Sequence, residues 1–153
     1  MSNNPIIKTE WHPEQQLIIT QISGEVNLKD VEEWEESLLN VLQLLPDQSK
    51  FKIFINLHGF KAANLDAHKR FRNIVPLTLA QHGWKVGYLD LFEESKQLTY
   101  TTTRGIECVA AVHVHQDETK IHLYESKFSR TNEHFYTDVD KALSWISDWK
   151  IPS

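Results

Sequence analysis

Residues 51–57 read FKIFINL, an almost uninterrupted apolar run built of β-branched and aromatic side chains. A strand with one wet face alternates apolar and polar residues, and this run does not, so it is expected to be a central strand covered on both faces. Covering both faces calls for helices packed on a sheet, and a chain of 153 residues is long enough to close one such core without disulfides or metal. Gly59 ends the run.

The flanking residues supply the rest of that architecture. IIKTEW and QLIITQISGEV are β-runs split by HPEQ, whose Pro13 predicts a turn and hence a β-hairpin. In 27–46, Val31, Trp34, Leu38, Val41, Leu42 and Leu45 recur at spacings of three and four, one apolar stripe on a helix. Asn27 is its N-cap with Asp30 at the capping-box position, Val26 and Val31 can close a hydrophobic staple, and Pro46 stops it. A second helix is predicted over 64–81, with Phe71, Ile74, Val75 and Leu79 on one face, Asn64 as N-cap and Gly83 as the stop. Pro76 lies inside it and predicts a kink or two shorter helices, because an interior proline removes a hydrogen bond at a cost of roughly 3 kcal/mol.

Residues 84–92 (WKVGYLDLF) read as a further strand, and 93–105 (EESKQLTYTTTRG), polar and without a period, as a long connection. A buried strand over 106–115 and a helix over 117–128 follow, the helix capped by Asp117 with Ile121, Tyr124 and Phe128 inward. Phe135 and Tyr136 make a short strand. Thr137, with Asp140 at the box position, caps a last helix lined by Ala142, Leu143, Ile146 and Trp149. Such alternation of strands and helices predicts one α/β domain over 1–153 with a mainly parallel or mixed sheet.

Two stretches carry a resemblance. FKIFINLHGF (51–60) and HFYTDVDKALSWI (134–146) are similar to the "hydrophobic strand, L-x-G-F" and "F-T-D-x-x-x-A-x-x-W-[LI]" patterns of SpoIIAA-like proteins. By element order the chain resembles the STAS / SpoIIAA-like family over roughly residues 5–92 and 106–149. The resemblance implies a SpoIIAA-like (STAS-type) mixed sheet of about five to six strands with about four helices and an N-terminal β-hairpin. In STAS proteins that antagonise anti-sigma factors, a phosphorylatable Ser opens the helix after the central strand. The matching residues here are Lys61, Ala62, Ala63 and Asn64, none of them Ser or Thr. What the resemblance then implies is a non-enzymatic binding domain for a nonpolar small molecule, a membrane surface at which it associates peripherally, or a protein partner. A regulatory interaction module without the phospho-switch is the neighbouring reading, and a homodimer would be one form of it.

The net charge of −5, with acidic and basic residues mixed along the chain, offers no stripe to neutralise phosphates, so nucleic acid is not an expected partner. A single cysteine, Cys108, no signal-peptide pattern and no apolar run of about 18 residues point to a cytoplasmic protein. The nucleophile-elbow, P-loop, dinucleotide, H-E-x-x-H and C-x-x-C signatures are all missing, which leans away from an enzyme, and no cofactor is expected.

The one grouping with chemical content is His113-Val114-His115-Gln116-Asp117: alternate residues of a strand share a face, so both imidazoles project together. Two His near a carboxylate are a common start to a transition-metal site, and strand C-terminal ends are where open α/β sheets bind ligands. His58 and Asp90, near the ends of predicted strands, are candidates to join His113 and His115 there. A metal-dependent enzyme or sensor is therefore the alternative function. Against it, Asp117 already serves as a helix cap, and a His pair in a chain with eight His also arises as plain hydrogen-bonding structure.

Overall fold

The computed structural model describes residues 4–88 and 99–151. β1 (Ile6–His12) and β2 (Leu17–Val26) form the antiparallel hairpin, and β3 (Lys50–Asn56) lies parallel to β2. Gly59, in the left-handed region at φ 88°, makes the turn into the short β4 (Phe60–Ala62), which pairs with the end of β2. β5 (Glu107–Val114) and β6 (Glu133–Tyr136) extend the sheet on the other side of β3, both parallel to it. The strand order is β1-β2-β3-β5-β6, which puts β3 in the middle. Its five consecutive residues 51–55 are each at most 3% exposed, as an unbroken apolar run requires.

Helices cover both faces. α1 (Leu28–Leu44) and α2 (Leu65–Ala80) pack Trp34, Leu38, Ile74 and Leu79 on Ile18, Ile22, Ile53 and Ile55. On the opposite face α4 (Val139–Asp148) sets Ala142 and Ile146 against Leu17, Phe54, Val112 and Val114. α3 (Glu118–Phe128) lies along the β6 edge, where the Phe135 N–H donates to Glu125 Oε1 at 3.0 Å. Among the described residues there are six strands and four helices.

The start of α1 is the predicted capping box: Asn27 Oδ1 accepts from Asp30 N–H at 2.9 Å and Asp30 Oδ2 from Asn27 N–H at 3.0 Å. Trp34 has no exposed surface, and its indole N–H donates to Thr20 Oγ1 at 2.7 Å, tying α1 to β2. Trp34→Phe removes that bond and leaves a void beside Thr20. It is expected to lower the unfolding free energy by about 2 kcal/mol, read as a lower urea midpoint at unchanged slope.

Four expectations are corrected. α2 is one helix that continues through Pro76 and is not split, because Ile74, Val75, Thr78, Leu79 and Ala80 are buried around it and their packing offsets the local cost of the ring. Residues 84–88 carry no regular structure: β5 takes the place beside β3, so the ladder has no opening there, and Trp84 and Val86 insert as core side chains instead. The remainder of the expected strand, 89–92, lies outside the described residues, as does 93–98 of the long connection. Its described end forms a bridge between Thr102 and His82 and a tight turn at Thr103–Gly105, where Arg104 Nε donates to Asp47 Oδ1 at 2.7 Å.

The cap of α4 is Asp138, not Thr137, its Oδ1 accepting from Lys141 N–H at 3.1 Å; aspartate is the better cap and the helix starts one residue later. Leu143 faces outward and is exposed, the buried face of α4 being that of Ala142 and Ile146, and Trp149 follows the helix rather than lining it.

Candidate functional site

At the C-terminal ends of β3, β5 and β6, between α2 and α3, lies a cavity of about 120 Å³. Strand alternation brings Ile55, His113 and Phe135 to one face there, and β5 continues to His115 on the same side. Phe71 and Val75 of α2 and Ile121 and Tyr124 of α3 form the side walls, and Tyr88 closes the edge. His113 and Phe135 are register partners, which is why their rings stack at 4.6 Å and 9°. Tyr88 stacks on Tyr124 at 5.4 Å and meets His113 edge-on at 5.6 Å. The Phe60 of the L-x-G-F stretch, in β4, stacks on Phe71 at 4.1 Å and so backs the α2 wall.

Behind the aromatic wall is a charged group that the core encloses completely. Glu133 has no exposed surface. Its Oε2 is 2.8 Å from His113 Nε2, and its Oε1 accepts from Arg130 at 2.7 Å and from the Gly87 N–H at 3.0 Å. A Cβ on Gly87 would come within 2.8 Å of that oxygen and of the Phe128 carbonyl, so only glycine allows this approach. Burial pulls the Glu133 carboxyl upward. The hydrogen bonds and charges of His113 and Arg130 together outweigh it, and the net shift is below the ordinary carboxylate value. An ionised carboxylate only accepts, so Nε2 of His113 carries a hydrogen and Nδ1 is the nitrogen left over. Burial, with Glu133 and Tyr124 nearby, pushes the Tyr88 phenol far above its usual range.

The mouth is basic. Arg72 and Lys120 line the cavity with His68 and His115, and among the described residues no Asp or Glu does. Lys120 Nζ sits 5.6 Å from the centre of the Tyr124 ring; desolvation lowers its pKa against the pull of Asp117. Burial lowers His68, helped by Arg72 and Lys120, and burial lowers His115, helped by Lys120 and His58 and opposed by Asp117. His115 Nδ1 accepts from the Asp117 N–H at 3.1 Å.

Of the sequence candidates, His113 and His115 line this cavity. His58 stands exposed in the turn after β3, outside the lining but near enough to act on His115. Asp90 lies outside the described residues. Among those described, no three His, Cys, Asp or Glu side chains gather into a group able to hold a metal ion. Glu133 and Arg130 escaped the sequence reading. The signal was a charged residue two positions before Phe135 on a short strand, hence on the same face as the ring that stacks on His113.

No family model and no curated protein matches the sequence. Among solved structures, the chain is similar to an uncharacterised protein of the DUF3478 family with a SpoIIAA-like fold from Shewanella loihica, at TM-score 0.55 and 16% identity over 95% of this chain and 98% of that one. An anti-sigma factor antagonist from Mycobacterium paratuberculosis aligns at TM-score 0.49 and 15% identity over 97% of this chain and 100% of that one. The first likeness establishes the fold, an α/β mixed sheet of SpoIIAA-like type, as the resemblance implied.

Proposed function

On this SpoIIAA-like fold, we propose, the chain works as a non-enzymatic binding domain that takes a nonpolar small molecule into the cavity between α2 and α3. The observation that carries the reading is the cavity itself, about 120 Å³ with aromatic and aliphatic walls, at the strand ends where open α/β sheets hold ligands. An apolar void of about 150 Å³ holds benzene, so a guest here would be of about that size or smaller. Its burial would contribute roughly 25 cal/mol for each Å² taken out of water.

The lining speaks for binding rather than turnover. Among the described residues it contains no Ser, Thr or Cys for His113 to activate, and the phenols of Tyr88 and Tyr124 are shifted away from ionisation by burial. Cys108 is buried elsewhere in the core with its thiol held well above the ordinary value, in keeping with a structural cysteine in a reducing cytoplasm. Among the described residues no helix is long and apolar enough to cross a membrane.

Titrating the isotope-labelled protein with toluene tests the reading. Saturable shifts of the Ile121, Tyr124 and Phe135 amides are expected, and their loss in Val75→Phe, whose larger side chain fills the cavity. Shifts that stay linear and scatter over the surface would refute it, as would toluene binding that Val75→Phe leaves intact.

A further inference from the structure

The imidazoles that border the cavity are not equivalent. His113 Nε2 donates to Glu133 Oε2 at 2.8 Å, and Glu133, its carboxyl held below the ordinary value, only accepts. A neutral imidazole carries one hydrogen, so Nδ1 of His113 then presents a lone pair. Among the described residues no hydrogen bond reaches that lone pair, and Nδ1 is not one of the fully enclosed nitrogens without a partner, which belong to His12 and Trp84. It keeps an open side, and the space that His113 borders is the cavity. The neighbouring rings offer nothing comparable. His115 Nδ1 is occupied by the Asp117 N–H at 3.1 Å, and His68 is exposed and satisfied by solvent.

One acceptor in a wall of aromatic and aliphatic side chains selects among guests. A hydrocarbon seated there shuts water away from Nδ1 and leaves the lone pair dry, at the cost of an unmade hydrogen bond. A guest with one O–H makes that bond and keeps the apolar contact of its remainder. The lone pair lies in the imidazole plane, so Phe135, stacked on the ring face at 4.6 Å and 9°, does not block it. A volume of about 120 Å³ limits the rest of the guest to about one ring.

We propose that Glu133 sets His113 as a hydrogen-bond acceptor in the cavity wall, and that the ligand is a small apolar alcohol or phenol, no larger than about one ring, whose hydroxyl donates to His113 Nδ1. The assignment rests on the cavity being the binding site and names the polar group of its occupant.

Phenol and fluorobenzene, alike in outline and different in the O–H, test it by magnetic resonance on the full chain with isotope-labelled histidine rings. A pH of about 8 keeps the hydrogen on a phenol, whose pKa is about 10. Phenol should move the His113 Nδ1 resonance to saturation together with the amides of Ile121, Tyr124 and Phe135, and fluorobenzene should move the amides and shift Nδ1 far less. In Glu133→Gln the amide oxygen stays with Arg130 and the Gly87 N–H, the amide N–H turns to His113 Nε2, and the imidazole hydrogen moves to Nδ1. The phenol-specific shift should then vanish while fluorobenzene still binds. A hydrogen found on Nδ1 of the free wild type, equal Nδ1 shifts with the two guests, or a phenol shift that survives Glu133→Gln overturns the assignment, whereas saturable amide shifts would still uphold the cavity as a site. The wild-type comparison stands by itself should Glu133→Gln fail to fold. Failure of phenol, fluorobenzene and toluene alike to move the amides defeats the binding site along with its ligand.

Discussion

Replacing Glu133 with alanine is expected to cost about 3–5 kcal/mol of stability, enough to leave a domain of ordinary stability barely folded. The carboxylate is fully enclosed and is the common partner of His113, Arg130 and the Gly87 N–H, so its removal strands three donors at once. Arg130 is 43% exposed and can turn to water; His113 and the Gly87 amide cannot follow it. Urea unfolding with Glu133→Gln beside it separates charge from shape, since the amide keeps the volume and one acceptor. The glutamine variant should lose clearly less than the alanine one, and equal losses would mean that the charge alone is at stake and that the retained volume and acceptor contribute nothing.

The same carboxylate makes stability depend on pH in a definite direction. Its folded pKa lies below the ordinary 4.5, so the unfolded chain takes up the proton first as the pH falls. The stabilisation is complete above that value and is lost as the pH drops through the folded one. Wild type and Glu133→Gln should therefore differ most near neutrality and converge in acid. Curves that run parallel down to pH of about 3 would contradict an ionised Glu133 in the fold.

Lys52→Met should cost about 2–3 kcal/mol. Lys52 is only 3% exposed, in the centre of the sheet, and its ammonium donates to the carbonyls of Ile146 at 2.6 Å, Trp149 at 2.8 Å and Ser147 at 3.3 Å. These belong to the end of α4, whose last carbonyls have no partner within the helix, and a cation there also complements the helix dipole. Methionine keeps the stem packed under the helix but leaves the carbonyls buried without a donor. Beyond the lower urea midpoint, amide exchange should accelerate in the last turn of α4 and leave α1 unaffected. A uniform change across both helices would show a global loss and no specific clamp.

Both clusters show where reading residues in order reaches its end. Asn27, Asn64 and Asp117 are caps recognisable in the sequence because a cap and its partner N–H lie three residues apart. In FKIFINL, Lys52 is the one charged residue, and nothing nearby says that its partners stand 94 to 97 residues further on. His113 was visible as one of a pair facing one side of a strand. That its Nε2 would meet Glu133 follows only from β6 pairing with β5 in register, Ala111 with Glu133 and His113 with Phe135. Over 84–88 the expected strand failed for a related reason: an apolar run records burial, and Trp84 and Val86 are buried without entering the sheet.

From its sequence alone this chain determines its helices, most of its strands, three of its caps and the double burial of β3, since apolar spacing and capping act within a few residues. Only the tertiary structure decides that β5 rather than 84–88 lies beside β3, that Asp138 supplies the α4 cap, and that Tyr88, His113, Tyr124 and Phe135 close around one cavity with Lys120 and Arg72 at its mouth. Those outcomes depend on which strand edge is open and which helix faces which, and such competition between distant segments is settled by packing and burial across the whole core.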